Sequence, residues 1–121
     1  MNKLPAEITE LLHEAEKFIT SKDSPQQVIV VRTAKAHTYS FANHNIMNGD
    51  LTEEENFINE LVEKEDTEII CLVCMWNKCE LDIPSQHMRT LFTKINPLNR
   101  EAAVLMRGEK DYCIKKLKEL I

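Results

Sequence analysis

No apolar run in the 121 residues approaches the roughly 20 needed to span a bilayer, so no membrane-crossing helix is expected. Positive charge is also scarce. Lys and Arg number 15 against 20 Asp and Glu, a formal net charge of −5, which speaks against general binding to nucleic acid or an anionic membrane, since both require a basic surface. Residues 1–5 lead into a charged amphipathic segment rather than an apolar one, so no secretory signal is expected and a cytoplasmic location follows. Glycine occurs only twice, at Gly49 and Gly108, and there is no internal repeat, low-complexity tract or linker. The chain 1–121 reads as one α/β domain, with a hydrophobic fraction of 43% that suffices for a core without metal or disulfide support.

The four cysteines are Cys71, Cys74, Cys79 and Cys113. Cys71-Leu72-Val73-Cys74 has the spacing of a metal or redox pair, but it lies in a β-favouring apolar run. Residues three apart on a strand point to opposite faces and cannot grip one ion. Buried, reduced core thiols are therefore expected.

Periodicity orders the rest. Residues 5–21 carry Ile8, Leu11, Leu12, Ala15, Phe18 and Ile19 at helical spacing. Residues 27–33 and 37–42 read as two strands of an antiparallel hairpin. A polar loop over 43–51 precedes a second helix from Thr52, with Phe57, Ile58, Leu61 and Val62 inward. The almost wholly apolar 68–76 reads as a central strand covered on both faces. A third helix spans about 85–96, with Met88, Leu91, Phe92 and Ile95 inward and Pro97 as its stop. Residues 101–106 read as a fourth strand and 110–121 as a final helix. The order αββαβαβα, with parallel pairing through right-handed crossovers, predicts a three-layer α-β-α sandwich around a mixed four-stranded sheet.

The loop entering the third helix is the position where α/β proteins tend to place ligand chemistry. It reads Pro84-Ser85-Gln86-His87-Met88-Arg89. With Glu53-Glu54-Glu55 opening the second helix, this segment resembles the cytidine deaminase fold, and the likeness covers nearly the whole chain. In that family a Cys/His-Ala-Glu motif opens the second helix and Pro-Cys-Gly-x-Cys-Arg the third. Asn43-His44-Asn45 is similar to the asparagine-bearing loop that holds the nucleoside sugar, and Thr67-Glu68-Ile69 and Leu117-Lys118-Glu119-Leu120 also resemble family features.

The departures bear on chemistry. The resemblance implies a zinc held by one Cys or His and two thiolates. Here Glu53 stands for the first ligand, and Ser85 and Met88 stand for the two cysteines. A hydroxyl and a thioether bind Zn²⁺ poorly, so neither zinc nor any other cofactor is expected. Glu55 falls at the proton-shuttling glutamate, but without an activated water it has nothing to shuttle. No catalytic residue is assigned.

Each residue also has a plainer reading. Thr52-Glu53-Glu54-Glu55 fits a capping box and suits the helix dipole. Ser85 fits an N-cap and Met88 a core position. Arg89 either pairs with Glu53–Glu55 or holds an anion. His44 and His87 with Glu53 or Glu55 form an alternative metal set, and Cys79 with His87 a nucleophile pair without visible oxyanion donors. His13 and His37 suggest nothing. The expected function is a metal-free, non-catalytic protein of this fold, acting by self-association or partner binding, and the resemblance implies a homo-oligomer. The alternatives are a nucleoside- or nucleotide-type binder with a pocket at Asn43, Asn45, Glu55, Ser85, His87 and Arg89, or an enzyme built on Glu55, His87 and Cys79.

Overall fold

A computed structural model of the chain describes residues 5–18, 27–43, 52–76, 80–108 and 112–120. Two strands without a polar face occupy its centre. β1 (Gln27–Thr33) and β3 (Ile69–Trp76) pair antiparallel over most of their length, and Val28 to Val31 and Leu72 to Cys74 are wholly buried. A strand apolar on both faces needs cover on both, and the helices supply it. α1 (Ala6–Phe18) lies on one face, where Ile8, Leu11 and Ala15 pack on Val28, Val30, Cys71, Val73 and Met75. α2 (Thr52–Glu63) and α3 (Gln86–Ile95) lie on the other, with Phe57, Ile58, Leu61, Met88 and Phe92 against Ile29, Val31, Leu72 and Cys74. The result is a three-layer α/β structure, with each fully buried Leu, Ile or Phe contributing roughly 1.5–3 kcal/mol of transfer free energy.

β2 (Thr38–Asn43) forms the expected hairpin with β1, and β5 (Ala103–Arg107) lies parallel to β3 on its other side. One extra residue in β3, Ile70, interrupts the register opposite the Arg32–Thr33 step and faces outward at 37% exposure, as a bulge residue does. Cys71 and Cys74 fall beyond the bulge and point into opposite cores. Burial pushes the Cys71 thiol up to about 11 and that of Cys74 well up, so both are core thiols, as strand alternation requires.

The sheet is larger than four strands. A two-residue β4 (Leu81–Asp82) pairs with the end of β3, and 112–116 form a strand, β6 (Tyr112–Lys116), antiparallel to β5, where a helix is predicted. Cys113, Ile114, Leu117 and Leu120 have helical spacing, but Tyr, Cys and Ile also favour strands, and the open edge of β5 offers a ladder to pair with. Tertiary pairing overrides the local pattern. Of the apolar residues expected inward, Leu117 alone is fully buried among those described, and it sits in a short 3₁₀ turn (Leu117–Leu120) rather than a helix. Another 3₁₀ turn, Pro97–Glu101, joins α3 to β5. Val62, expected inward on α2, is 47% exposed.

The strand order is β2-β1-β3-β5-β6. Both β2 and β3 run antiparallel to β1, so they point the same way, and β2–α2–β3 and β3–α3–β5 are crossovers on one face. The N-termini of α2 and α3 therefore meet at one edge of the sheet, beyond the C-terminal ends of β2 and β3.

Candidate functional site

Ser85 stands where that meeting occurs. Its Oγ accepts the backbone N–H of Met88 at 3.2 Å, which makes it the N-cap of α3. Pro84 before it is buried and cannot supply an amide to the turn. The same hydroxyl donates its proton to Glu54 Oε2, 3.0 Å away on α2. One side chain thus caps one helix and fastens it to another. Met88 is fully buried and packs in the core with Phe92.

Glu54 was not singled out by motif, yet it is the acid that matters structurally. It is 1% exposed, whereas Glu55 points outward with its side chain 57% exposed. Burial raises the Glu54 carboxyl above the usual carboxylate range, and the Ser85 hydrogen bond and the nearby His87 pull in the opposite direction. The signal was present in the helical pattern: residues 54, 57, 58 and 61 share one face, and three of the four are apolar.

His87 extends the cluster. Its Nε2 is enclosed, has no hydrogen-bond partner and lies 3.6 Å from Glu55 Oε1, too long for a hydrogen bond. The structure therefore brings together Glu54, Glu55, Ser85 and His87. It does not bring Arg89 to the acids. Arg89 Nη1 donates instead to the carbonyl of Leu120, tying α3 to the C-terminal 3₁₀ turn, while its Nε is buried without a partner. The pairing of Arg89 with Glu53–Glu55 is replaced by this backbone contact, because residue 89 lies one turn along α3, on the side facing the last turn of the chain. Asn43 ends β2, paired through its backbone with Gln27. His44, Asn45 and Cys79, and the ligand, metal and nucleophile roles expected of them, lie outside the described residues.

The fit to a zinc ion is tested by the donors themselves. Structural and catalytic zinc takes thiolate, imidazole or carboxylate ligands in tetrahedral array. The Ser85 oxygen is already engaged as acceptor and donor, and the Met88 side chain is embedded in the core. Among the described residues no group of three or more His, Cys, Asp or Glu side chains is arranged to hold a metal. These residues do not fit the ion.

Other buried polar groups hold the frame. Asn99 is fully buried, accepts the Ile69 N–H at 2.6 Å and donates to the carbonyls of Thr67 and Phe92, each at 2.9 Å. At the opposite end of the sheet from Ser85, Asp66 is 2% exposed and accepts from Tyr39 Oη and His37 Nδ1, both at 2.7 Å. His37, without a motif of its own, thus joins the hairpin to the turn after α2.

No protein-family model matches the sequence, and no curated protein sequence does either. Solved structures do match. The chain superposes on cytidine deaminase from Mycobacterium leprae with a TM-score of 0.68 at 9% identity, covering 97% of this chain and 98% of that one. For cytidine deaminase from Mycobacterium tuberculosis the TM-score is 0.67 at 10% identity, with 96% and 94% covered. The chain has the cytidine deaminase-like fold. This fold accounts for the placement of the α2 and α3 N-termini beside each other. No helix among the described residues is long and apolar enough to cross a membrane.

Proposed function

We propose that this protein is a metal-free, non-catalytic member of the cytidine deaminase-like fold, acting through self-association or binding of a protein partner. One observation carries the reading. The two positions that would present thiolates are occupied by a helix cap bonded to a buried glutamate and by a core methionine. Such a junction holds two helices together without presenting an open coordination position. Surfaces for association accompany it: β6 is an edge strand with Tyr112 and Ile114 each 39% exposed, and Leu98 is 57% exposed. Elemental analysis of native protein, paired with light scattering, tests the proposal. Absence of stoichiometric zinc with a mass above that of the 14.0 kDa chain supports it. A zinc-loaded protein, or a strictly monomeric one that captures no partner, contradicts it.

A second reading is favoured by His87. An enclosed imidazole nitrogen without a hydrogen-bond partner, at the strand ends where α/β folds bind ligands, suits a nucleoside-type ligand that accepts or donates a hydrogen bond there. A thermal-shift screen of nucleosides and nucleotides on the wild type and on His87→Ala separates the two. A shift that His87→Ala abolishes supports the ligand, and no shift with any compound leaves the association reading alone.

A further inference from the structure

On the α1 face, away from the Ser85–Glu54 junction, a crevice of about 460 Å³ opens between α1 and the β1–β2 hairpin. Its floor breaks the pattern of the face it belongs to. The α1-facing positions of β1 are Val28, Val30 and then Arg32, and the register sets Thr38 beside Arg32 and Ser40 beside Val30. A guanidinium and two hydroxyls thus occupy positions that the alternation would otherwise give to apolar residues packed under the helix. The wall is charged as well. Arg32 Nη2 donates to Glu10 Oε2 at 2.9 Å, and Lys17 Nζ stands 3.6 Å from Glu14 Oε2. The Arg32 side chain is only 19% exposed while that of Glu10 is 64% exposed, and Arg32 Nε is enclosed with no hydrogen-bond partner.

We infer that this crevice binds a small zwitterion of the α-amino-acid class. The charges of the crevice match such a ligand. Arg32 is a two-pronged carboxylate receptor of which one prong is held by an exposed acid and another is unsatisfied. The Glu10 side of this pair is open to solvent, where an ion pair contributes little, so Glu10 yields to a better-placed carboxylate. A plain anion entering there would displace Glu10 and leave that carboxylate without a counter-charge, since Lys17 is already taken by Glu14. An amino acid brings its own ammonium for the displaced Glu10, and its carboxylate takes Arg32. The hydroxyls of Thr38 and Ser40 supply neutral hydrogen bonds to the ligand, and the volume is within the range of small-molecule sites. The site lies on the other side of the sheet from the junction and does not depend on the reading given above.

The test is an NMR titration of labelled full-length protein with glycine, L-leucine and L-glutamine, each compared with its N-acetyl and methyl-ester derivative, and with inorganic phosphate. At least one free amino acid is expected to shift the amide signals of Arg32, Thr38 and Ser40, with both blocked derivatives about tenfold weaker or worse, the loss of one charge-assisted pair. Glu10→Gln, a change at an exposed position, and Arg32→Gln are each expected to weaken that binding about tenfold. No shift with any free amino acid overturns the inference. Equal binding of a blocked derivative overturns it too, as does phosphate binding that Glu10→Gln strengthens, which would mark a simple anion site.

Discussion

Ser85 and Glu54, 31 positions apart in the chain, share a hydrogen bond of 3.0 Å in which the serine donates and the buried carboxylate accepts. Because the same oxygen caps α3 through Met88 N at 3.2 Å, its removal breaks two contacts at once. Ser85→Ala loses a cap, about 1 kcal/mol, and leaves a buried carboxyl with one donor fewer, a further 1–3 kcal/mol or so. A loss of roughly 2–4 kcal/mol in denaturant unfolding is expected, while Ser85→Thr retains both bonds and stays close to the parent. Equal stability of the alanine variant would show that the junction is incidental.

Glu54 sets a pH dependence of definite sign. Burial holds its folded-state pKa above the ordinary carboxylate value, so the folded protein binds this proton more tightly than the unfolded chain does. The contribution to stability is present below the unfolded pKa and is lost as pH rises through the folded one. Glu54→Gln keeps an oxygen for Ser85 and removes the charge. The variant is expected to exceed the parent in stability near neutral pH, with the advantage shrinking as the medium becomes acid. Urea titrations across that range check it, and an advantage that grows toward acid pH contradicts it.

Asp66 behaves in the opposite way. Burial acts to raise its pKa, but hydrogen bonds from Thr33, Tyr39 and His37 outweigh burial and bring the carboxyl below its usual range. Its stabilisation is therefore present above the unfolded pKa and is lost as pH falls through the folded value. Asp66→Asn should remove this acid-side loss and lower stability at neutral pH. The parent and the variant should thus converge as the carboxylate protonates, as chemical denaturation at stepped pH would reveal.

Asn99 is the costliest single position by this account. Truncation to alanine strands the buried Ile69 amide and Phe92 carbonyl and the partly buried Thr67 carbonyl. Each orphaned buried group costs about 1–3 kcal/mol, so Asn99→Ala is expected to lose roughly 3 kcal/mol or more. Asn99→Ser, able to meet one of the three needs, should recover only part. Thermal or denaturant unfolding reads both.

Much of the architecture was legible in the chain because burial imposes periodicity. The α1 stripe of Ile8, Leu11 and Ala15, the doubly covered β3 and the opposed Cys71 and Cys74 all followed from spacing alone. The last element was not legible. Residues 112–116 satisfy helix spacing and strand preference equally, and only the vacant ladder beside β5 decides between them. At the junction, Ser85 as cap and Met88 as core were readable locally. The partners of Arg89 and His37 were not, since Leu120 and Asp66 reach them through tertiary folding. Glu54 carries no motif signal, since the family motif falls on Glu53 and Glu55, while the helical face itself points to the residue between them.

The measurement that bears most directly on the central claim is the metal content of native protein purified without chelators. With Ser85 engaged as a cap and Met88 in the core, the account predicts no stoichiometric zinc, and none taken up when zinc is offered and weakly bound metal is then removed. One tightly held zinc per chain would contradict it.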